Sequence, residues 1–370
     1  MFDEAWAEMP EFANGYRKGN TQRIKRVMKK AEQGQPLGVG FIGGSITQGV
    51  GASTEEKCYA YRVFQYVQNR FPGANLQYIN AGIGGTTSHF ACARAASDLL
   101  SKSPDLIIVE FSVNDESNAF FKETFEGLIR QLYYDKSKPA ILIFYNMLYL
   151  DGKSAERVHS QIARHYHLPA VSLQSIIYPS LLSGAIQMEE LTGDGVHPND
   201  RGHALIADAI IYALKKAEAC LEENNGEKEI LPLTENHYET SVRYQNYNIK
   251  ADMRHFVMMD EKQEGITDCF KMGWRATAQT ASIEFEVCGS EIAIQYRRFH
   301  DAVSQRATVM LDGQQTGIVL DGTFDEDWGD KLELTPILIH GINKKHTVTL
   351  MIDEAEIPEH FFEFISIICA

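Results

Sequence analysis

Hydrophobic and polar positions change their period once along the chain, close to Glu222. Before that point, from Leu37 to about Cys220, short apolar runs alternate with stretches whose apolar residues recur every three to four positions. This is the βαβα rhythm of a parallel sheet covered by helices on both faces. The pattern predicts strands over 37–42, 76–80, 105–111, 140–145 and 170–173, with helices near 59–70, 88–101, 122–134 and 154–165. The expected fold is a three-layer α/β/α domain around five parallel strands.

The last helix of this half begins after His197, Pro198 and Asn199, where the Asn199 side chain is placed to cap the first turn. Its apolar face runs through Ala207, Ile210, Ile211, Leu214, Ala217 and Leu221. The stretch EENNGEKE over 222–229 has no apolar period and reads as a linker. Beyond it the period becomes two. Ile283, Phe285 and Val287 alternate with acids, Ile292, Ile294 and Tyr296 form a second run, and Val348, Leu350 and Ile352 a third. Turn signals at Asp312-Gly313 and Asp321-Gly322 separate such runs, as in an antiparallel β-sandwich. The domains are therefore set at 1–225 and 230–370, without internal repeats or low-complexity segments.

A chain of 370 residues exceeds one typical core, in keeping with two domains. A formal charge of −15 excludes neutralisation of a nucleic-acid backbone. The one basic run, from Arg17 to Lys30, lies on a helical pattern whose apolar face is Ile24, Val27, Met28 and Ala31, so its charges form a solvated face. The opening MFDEAWAEMP is acidic and precedes no apolar run of signal-peptide length. Six cysteines without C-x-x-C spacing point to free thiols. A cytoplasmic protein that contacts neither membrane nor nucleic acid is expected, and self-association is compatible with the sequence.

The stretch GVGFIGGSITQGVG, residues 38–51, admits two readings. Gly38, Gly40 and Gly43 satisfy the G-x-G-x-x-G spacing of a dinucleotide turn. That turn needs its glycines after the strand and an acid about 20 residues further on. Here Gly38 and Gly40 fall within the strand, and the second strand ends in Asn80. The alternative is a serine, Ser45, presented at a strand end. A serine hydroxyl is a weak nucleophile unless an imidazole accepts its proton and a carboxylate fixes that ring's tautomer. Asp194 stands three residues before His197 in a short turn beside a helix start, able to supply both from one loop. Alone, D-x-x-H is common in surface loops. Acyl transfer also needs donors for an oxyanion. The glycine-rich NAGIGGTTS (80–88) follows the second strand, and VNDE (113–116) follows the third. Ser45, Gly85 and Asn114 thus all lie at the carboxyl ends of strands, where ligand sites of open parallel sheets occur.

The blocks GGSIT, NAGIGGTTS, VNDE and DGVHPN, in this order, resemble the SGNH subgroup of GDSL hydrolases over residues 37–221. The resemblance implies Ser45 as nucleophile, the Ser45 and Gly85 N–H groups with the Asn114 side chain as oxyanion hole, and Asp194 and His197 as the rest of a triad. It implies no metal or organic cofactor. The block departs from the family pattern at Gly44, where many members carry aspartate. His89, His159, His165, His167 and His203 read as ordinary helix or surface residues, while Asp115 and Glu116 read as neighbours of the site without a role.

The second half is similar to the β-sandwich domains that accompany SGNH carbohydrate acetylesterases, some of which resemble carbohydrate-binding modules. This implies an acetylated oligosaccharide derived from a hemicellulose such as mannan or xylan as substrate. Trp274 and Trp328 are the candidate aromatic platforms, with Trp328, in an acidic loop, favoured for substrate binding. A lipase or thioesterase with the same triad and a non-catalytic carbohydrate-binding protein remain alternatives.

Overall fold

The structure is a computed structural model that describes residues 9–220, 229–326 and 328–370. The acidic opening up to Glu8, most of the expected linker and Leu221 therefore lie outside the described residues. The chain divides into two compact units, Met1–Asn236 and His237–Ala370.

The first unit holds strands β1 (Tyr16–Arg17), β2 (Leu37–Gly43), β3 (Leu76–Gly82), β4 (Leu106–Glu110), β5 (Ala140–Tyr145) and β6 (Ala170–Ser172) in the order β1-β6-β5-β4-β2-β3. Strands β2 to β6 are parallel, as the sequence predicts. The sheet is nevertheless six-stranded and mixed, because β1 adds to β6 as an antiparallel edge. Two residues carry no readable period, and this edge depends on a tertiary approach: Asn20 N–H donates to His167 O at 2.6 Å just beyond it.

The helices of this unit are α1 (Phe12–Gly15), α2 (Gln22–Glu32), α3 (Ser45–Gln48), α4 (Tyr59–Arg70), α5 (Ser88–Asp98), α6 (Ala119–Tyr134), α7 (Glu156–His165), α8 (Leu173–Leu182) and α9 (Asp200–Ala219). Helix α2 buries Ile24, Val27, Met28 and Ala31 and exposes Arg26, Lys29 and Glu32, while Arg23 and Lys30 are half-buried and donate to Tyr133 O and Asp105. Helix α9 starts where expected, with Asn199 Oδ1 accepting from the N–H groups of Arg201 and Gly202. Helix α8 is not foreseen, since Pro179 lies within it; its start is capped by Ser172, and it is anchored by Leu173, Ile176 and Ile177.

The strand order places the site. The chain leaves β2 first to β3 on one side and later to β4 on the other, and such a reversal opens a crevice at the carboxyl edge. Register aligns Gly43 of β2 with Gly82 of β3 and with Glu110 of β4. The three following loops consequently leave the sheet at one level. Residues 230–234 also stay with this unit, because the Glu126 carboxylate accepts from the N–H groups of Leu233 and Thr234 at 2.6 and 2.7 Å.

The second unit is built from β7 (Val242–Tyr244), β8 (Ala251–Arg254), β9 (Phe256–Met258), β10 (Trp274–Ala276), β11 (Thr280–Gly289), β12 (Ile292–Arg298), β13 (Arg306–Leu311), β14 (Gln314–Asp321), β15 (Lys331–Leu338), β16 (Lys344–Asp353) and β17 (Glu363–Cys369). One sheet runs β15-β12-β17-β10-β9, with β7 also paired to β17, and the other β14-β13-β16-β11-β8. All named pairings are antiparallel. Ile283, Phe285, Val287, Val348, Leu350 and Ile352 are buried in a shared core, following the period of two. Asp312 and Gly313, both at positive φ, form the two-residue turn between β13 and β14.

Candidate active site

Ser45 opens α3, directly after β2 and Gly44. Its Oγ lies 2.9 Å from His197 Nε2, and His197 Nδ1 lies 2.6 Å from Asp194 Oδ2. With the ring protonated on Nδ1 it donates to Asp194, and Nε2 is free to accept the serine proton. The three side chains that the sequence proposes thus form one hydrogen-bonded relay across 152 positions of chain.

The loop that carries Asp194 and His197 is self-braced. Asp194 Oδ1 accepts from the N–H groups of Val196 and His197 at 2.8 and 2.7 Å, leaving Oδ2 for the ring. Partial burial opposes the charge on Asp194, but the ring and these N–H donors outweigh it and bring its pKa down to about 2. The buried Thr192 hydroxyl donates to His197 O at 2.7 Å, and Tyr149 N–H reaches Gly195 O at 2.9 Å from the loop after β5. Neither Thr192 nor Tyr149 belongs to a motif that a single sequence discloses.

The segments that carry the expected oxyanion donors pass close to the serine turn. A Cβ built on Gly84 would lie 3.7 Å from Ser45 Cβ, and one built on Gly44 would lie 2.7 Å from Asn114 Oδ1. Gly84 N–H is held by Gln48 Oε1 at 2.7 Å, and Gly85 turns the chain at φ +67°, a region that glycine enters without strain. Two further residues fix these strand ends. Asn80 donates to Thr47 O at 2.8 Å from β3, and the buried Arg94 guanidinium donates to Ala81 O and Gly43 O at 2.7 and 3.2 Å.

The dinucleotide spacing has a packing origin. A Cβ on Gly40 would meet Leu99 at 2.7 Å, and one on Gly38 would meet Pro104 at 3.0 Å, so these glycines let loops cross the buried strand closely. The other histidines stand apart from the relay. His203 accepts from Tyr59 N–H at 3.2 Å and contacts Val50 O, and burial lowers its pKa to about 4. Burial does the same to His89. His165 contacts Leu231 O.

Beside Asn114 an open cleft of about 770 Å³ runs between the loops after β4 and β5. Ser112, Asp115, Glu116, Asp151, Arg157 and Gln174 are among its polar walls. In the second unit Trp274 is buried and stacked on Phe364, which makes it core. Trp328 is 52% exposed, edge-on to Phe324, and its indole N–H donates to Glu326. Also in that unit, His300, Asp301 and Asp330 bring possible ligand atoms within 4.8 Å of one another, although Asp330 already accepts from Arg297 and contacts His300.

Residues 41–205 match the model of the GDSL-like lipase/acylhydrolase family. An acetylxylan esterase of Geobacillus stearothermophilus is 25% identical over 202 residues, covering 46% of this chain and 90% of that protein. A two-domain esterase active on acetylated mannans is 46% identical, with a TM-score of 0.94 over 97% of this chain and 98% of its own. A crystal structure of such an esterase grown with mannopentaose gives a TM-score of 0.93, also at 46% identity and over 97% of each chain. With a two-domain relative matched from end to end and the hydrolase blocks in place, the chain belongs to the GDSL-like lipase/acylhydrolase family of ester hydrolases.

Proposed function

We propose that the protein is a serine esterase that removes O-acetyl groups from hemicellulose-derived oligosaccharides, with acetylated manno-oligosaccharides as its first substrate class. The 2.9 Å approach of Ser45 Oγ to His197 Nε2 carries the chemistry. The likeness to an esterase active on acetylated mannans supports the substrate.

In this reading His197 takes the Ser45 proton as the oxygen attacks the acetyl carbonyl, and Asp194 steadies the imidazolium. The oxyanion is held by the N–H groups of Ser45 and Gly85 and by the Asn114 amide. Collapse expels the sugar alkoxide, which receives the proton from His197. Water then enters, gives its proton to His197 and attacks the acetyl-enzyme, releasing acetate and restoring the Ser45 hydroxyl. Trp328 supplies an aromatic face for a sugar ring. The chain works on oligosaccharides inside the cell.

The test is mass spectrometry of acetylated manno- and xylo-oligosaccharides before and after incubation with the protein and with Ser45→Ala. Loss of acetyl masses with the unaltered protein alone supports the reading. Unchanged masses, or equal loss with the variant, overturn it, while a preference for octanoyl over acetyl esters transfers the site to a lipase or thioesterase.

A further inference from the structure

Asp115 is 5% exposed and follows Asn114 directly. Its Oδ1 accepts from Ser88 N–H at 2.9 Å, at the start of α5 and three residues after Gly85. Its Oδ2 lies 3.0 Å from Nε2 of His159, which is 1% exposed on α7 and stacked on Phe125 with ring centroids 3.7 Å apart. His159 Nδ1 has no hydrogen-bond partner among the described residues. A ring protonated on Nε2 donates to Asp115 and leaves no N–H unpaired, Nδ1 keeping only a lone pair. From the geometry we infer that Asp115, held by His159, is a positioning residue that locks the Gly85 loop and the Asn114 turn into one rigid oxyanion hole.

One carboxylate bridges the two segments that carry separate donors. On its first oxygen it fixes where the chain after Gly85 enters α5. Through its own backbone it fixes Asn114, because Asp115 N–H donates to Phe111 O at 2.9 Å and closes the turn. The far side of the same turn is tied to the His159 helix, with Ala155 N–H donating to Ser112 O at 2.7 Å and His159 N–H to Ala155 O at 3.1 Å. A buried carboxylate is tolerated here because a helix N-terminus and an imidazole N–H both donate to it. Placing donors to within fractions of an ångström is what distinguishes an oxyanion hole from ordinary amides. Asp115 touches no reacting atom in this scheme and acts through Gly85 and Asn114.

The inference rests on the esterase reading, and a double-mutant cycle separates the two. Unaltered protein, Ser45→Ala, Asp115→Ala, Asp115→Asn, His159→Gln, Asn114→Ala and Asn114→Ala/Asp115→Ala are compared on 4-nitrophenyl acetate, with melting temperatures measured in parallel. Inactive unaltered protein, or active Ser45→Ala, sinks the esterase reading itself. If that reading stands, Asp115→Ala should lower kcat by about 10- to 100-fold with KM within about twofold, from lost donor alignment. His159→Gln, which keeps a donor for Asp115, should fall by less. In the Asn114→Ala background Asp115→Ala should cost much less than alone, because residues acting through one group are not additive. Should Asp115→Ala not fold, Asp115→Asn and His159→Gln carry the same kcat test. Full kcat in folded variants, or full additivity with Asn114→Ala, overturns the assignment and leaves Asp115 a stability residue only.

Discussion

Gly44 and Asn114 are packed so closely that a methyl group on Gly44 would come to 2.7 Å from the Asn114 amide oxygen. The contact joins the residue before the serine to the side chain read as an oxyanion donor, and it bears on the departure of this chain from the aspartate-containing block of its family. With no side chain at Gly44, the amide can occupy the space directly beside the serine turn.

Gly44→Ala is expected to lower kcat on acetyl esters by about tenfold or more, short of the full loss of one oxyanion donor, which is about 10²–10³-fold. Gly44 sits at φ −89°, so the substitution brings no left-handed strain, and the added methyl crowds the Asn114 amide. Steady-state kinetics with a melting curve measures it. An unchanged kcat would mean that the Asn114 amide is not needed where it lies.

Glu110, at the end of β4, is expected to make stability depend on pH. Burial, aided by the nearby Asp115 charge and opposed by hydrogen bonds from Ser112, raises its pKa to about 7. Between pH 4.5, its ordinary value, and about 7 the folded chain holds a proton that the unfolded chain has released. Stability therefore falls as pH rises through this window, and the deficit is complete above it. The size is of order 1–3 kcal/mol. Glu110→Gln keeps an acceptor for Ser112 without the charge, so its melting temperature relative to the unaltered protein should rise from pH 5 to pH 8. Parallel curves for the two proteins would refute this.

The contact of Ser45 with His197 and Asp194 was legible because each of these residues stands in a short local pattern at a strand or helix end, and such ends meet at one edge of a parallel sheet. The alternation of Ile283, Phe285 and Val287 was legible because a half-buried strand must repeat every two residues. What escaped the sequence is tertiary. Asn80 is paired with the carbonyl of Thr47, Arg94 with those of Gly43 and Ala81, and Asp115 with a ring 44 positions away. Nothing local distinguishes these side chains from solvated ones. Tyr16 and Arg17 escaped because an edge of two residues has no period, and α8 because Pro179 argues locally against a helix that burial of Ile176 and Ile177 sustains.

Trp274→Ala is expected to destabilise the second unit by about 3–5 kcal/mol, the usual cost of truncating a buried aromatic. Trp274 is 1% exposed, stacked on Phe364 and edge-on to Phe285, so its loss opens a void between the two sheets. Calorimetry of the whole chain should show a lowered transition for this unit. A change below about 1 kcal/mol would contradict the core assignment.

Trp328→Ala should have the opposite profile, little effect on stability and a selective effect on sugars. Half of the side chain is already in water, and its polar contact, to Glu326, is local, so truncation should stay within about 0.5 kcal/mol of the unaltered stability. If the indole face stacks on a sugar ring, its loss removes binding made equally in ground and transition states, which raises KM and leaves kcat nearly unchanged. The rise should appear with acetylated manno-oligosaccharides and be absent with 4-nitrophenyl acetate, which has no sugar to stack. The comparison needs both substrates on the same preparation. Equal KM values for the oligosaccharide in variant and unaltered protein would remove Trp328 from the binding site, and a parallel rise on both substrates would point to a disturbance of the fold.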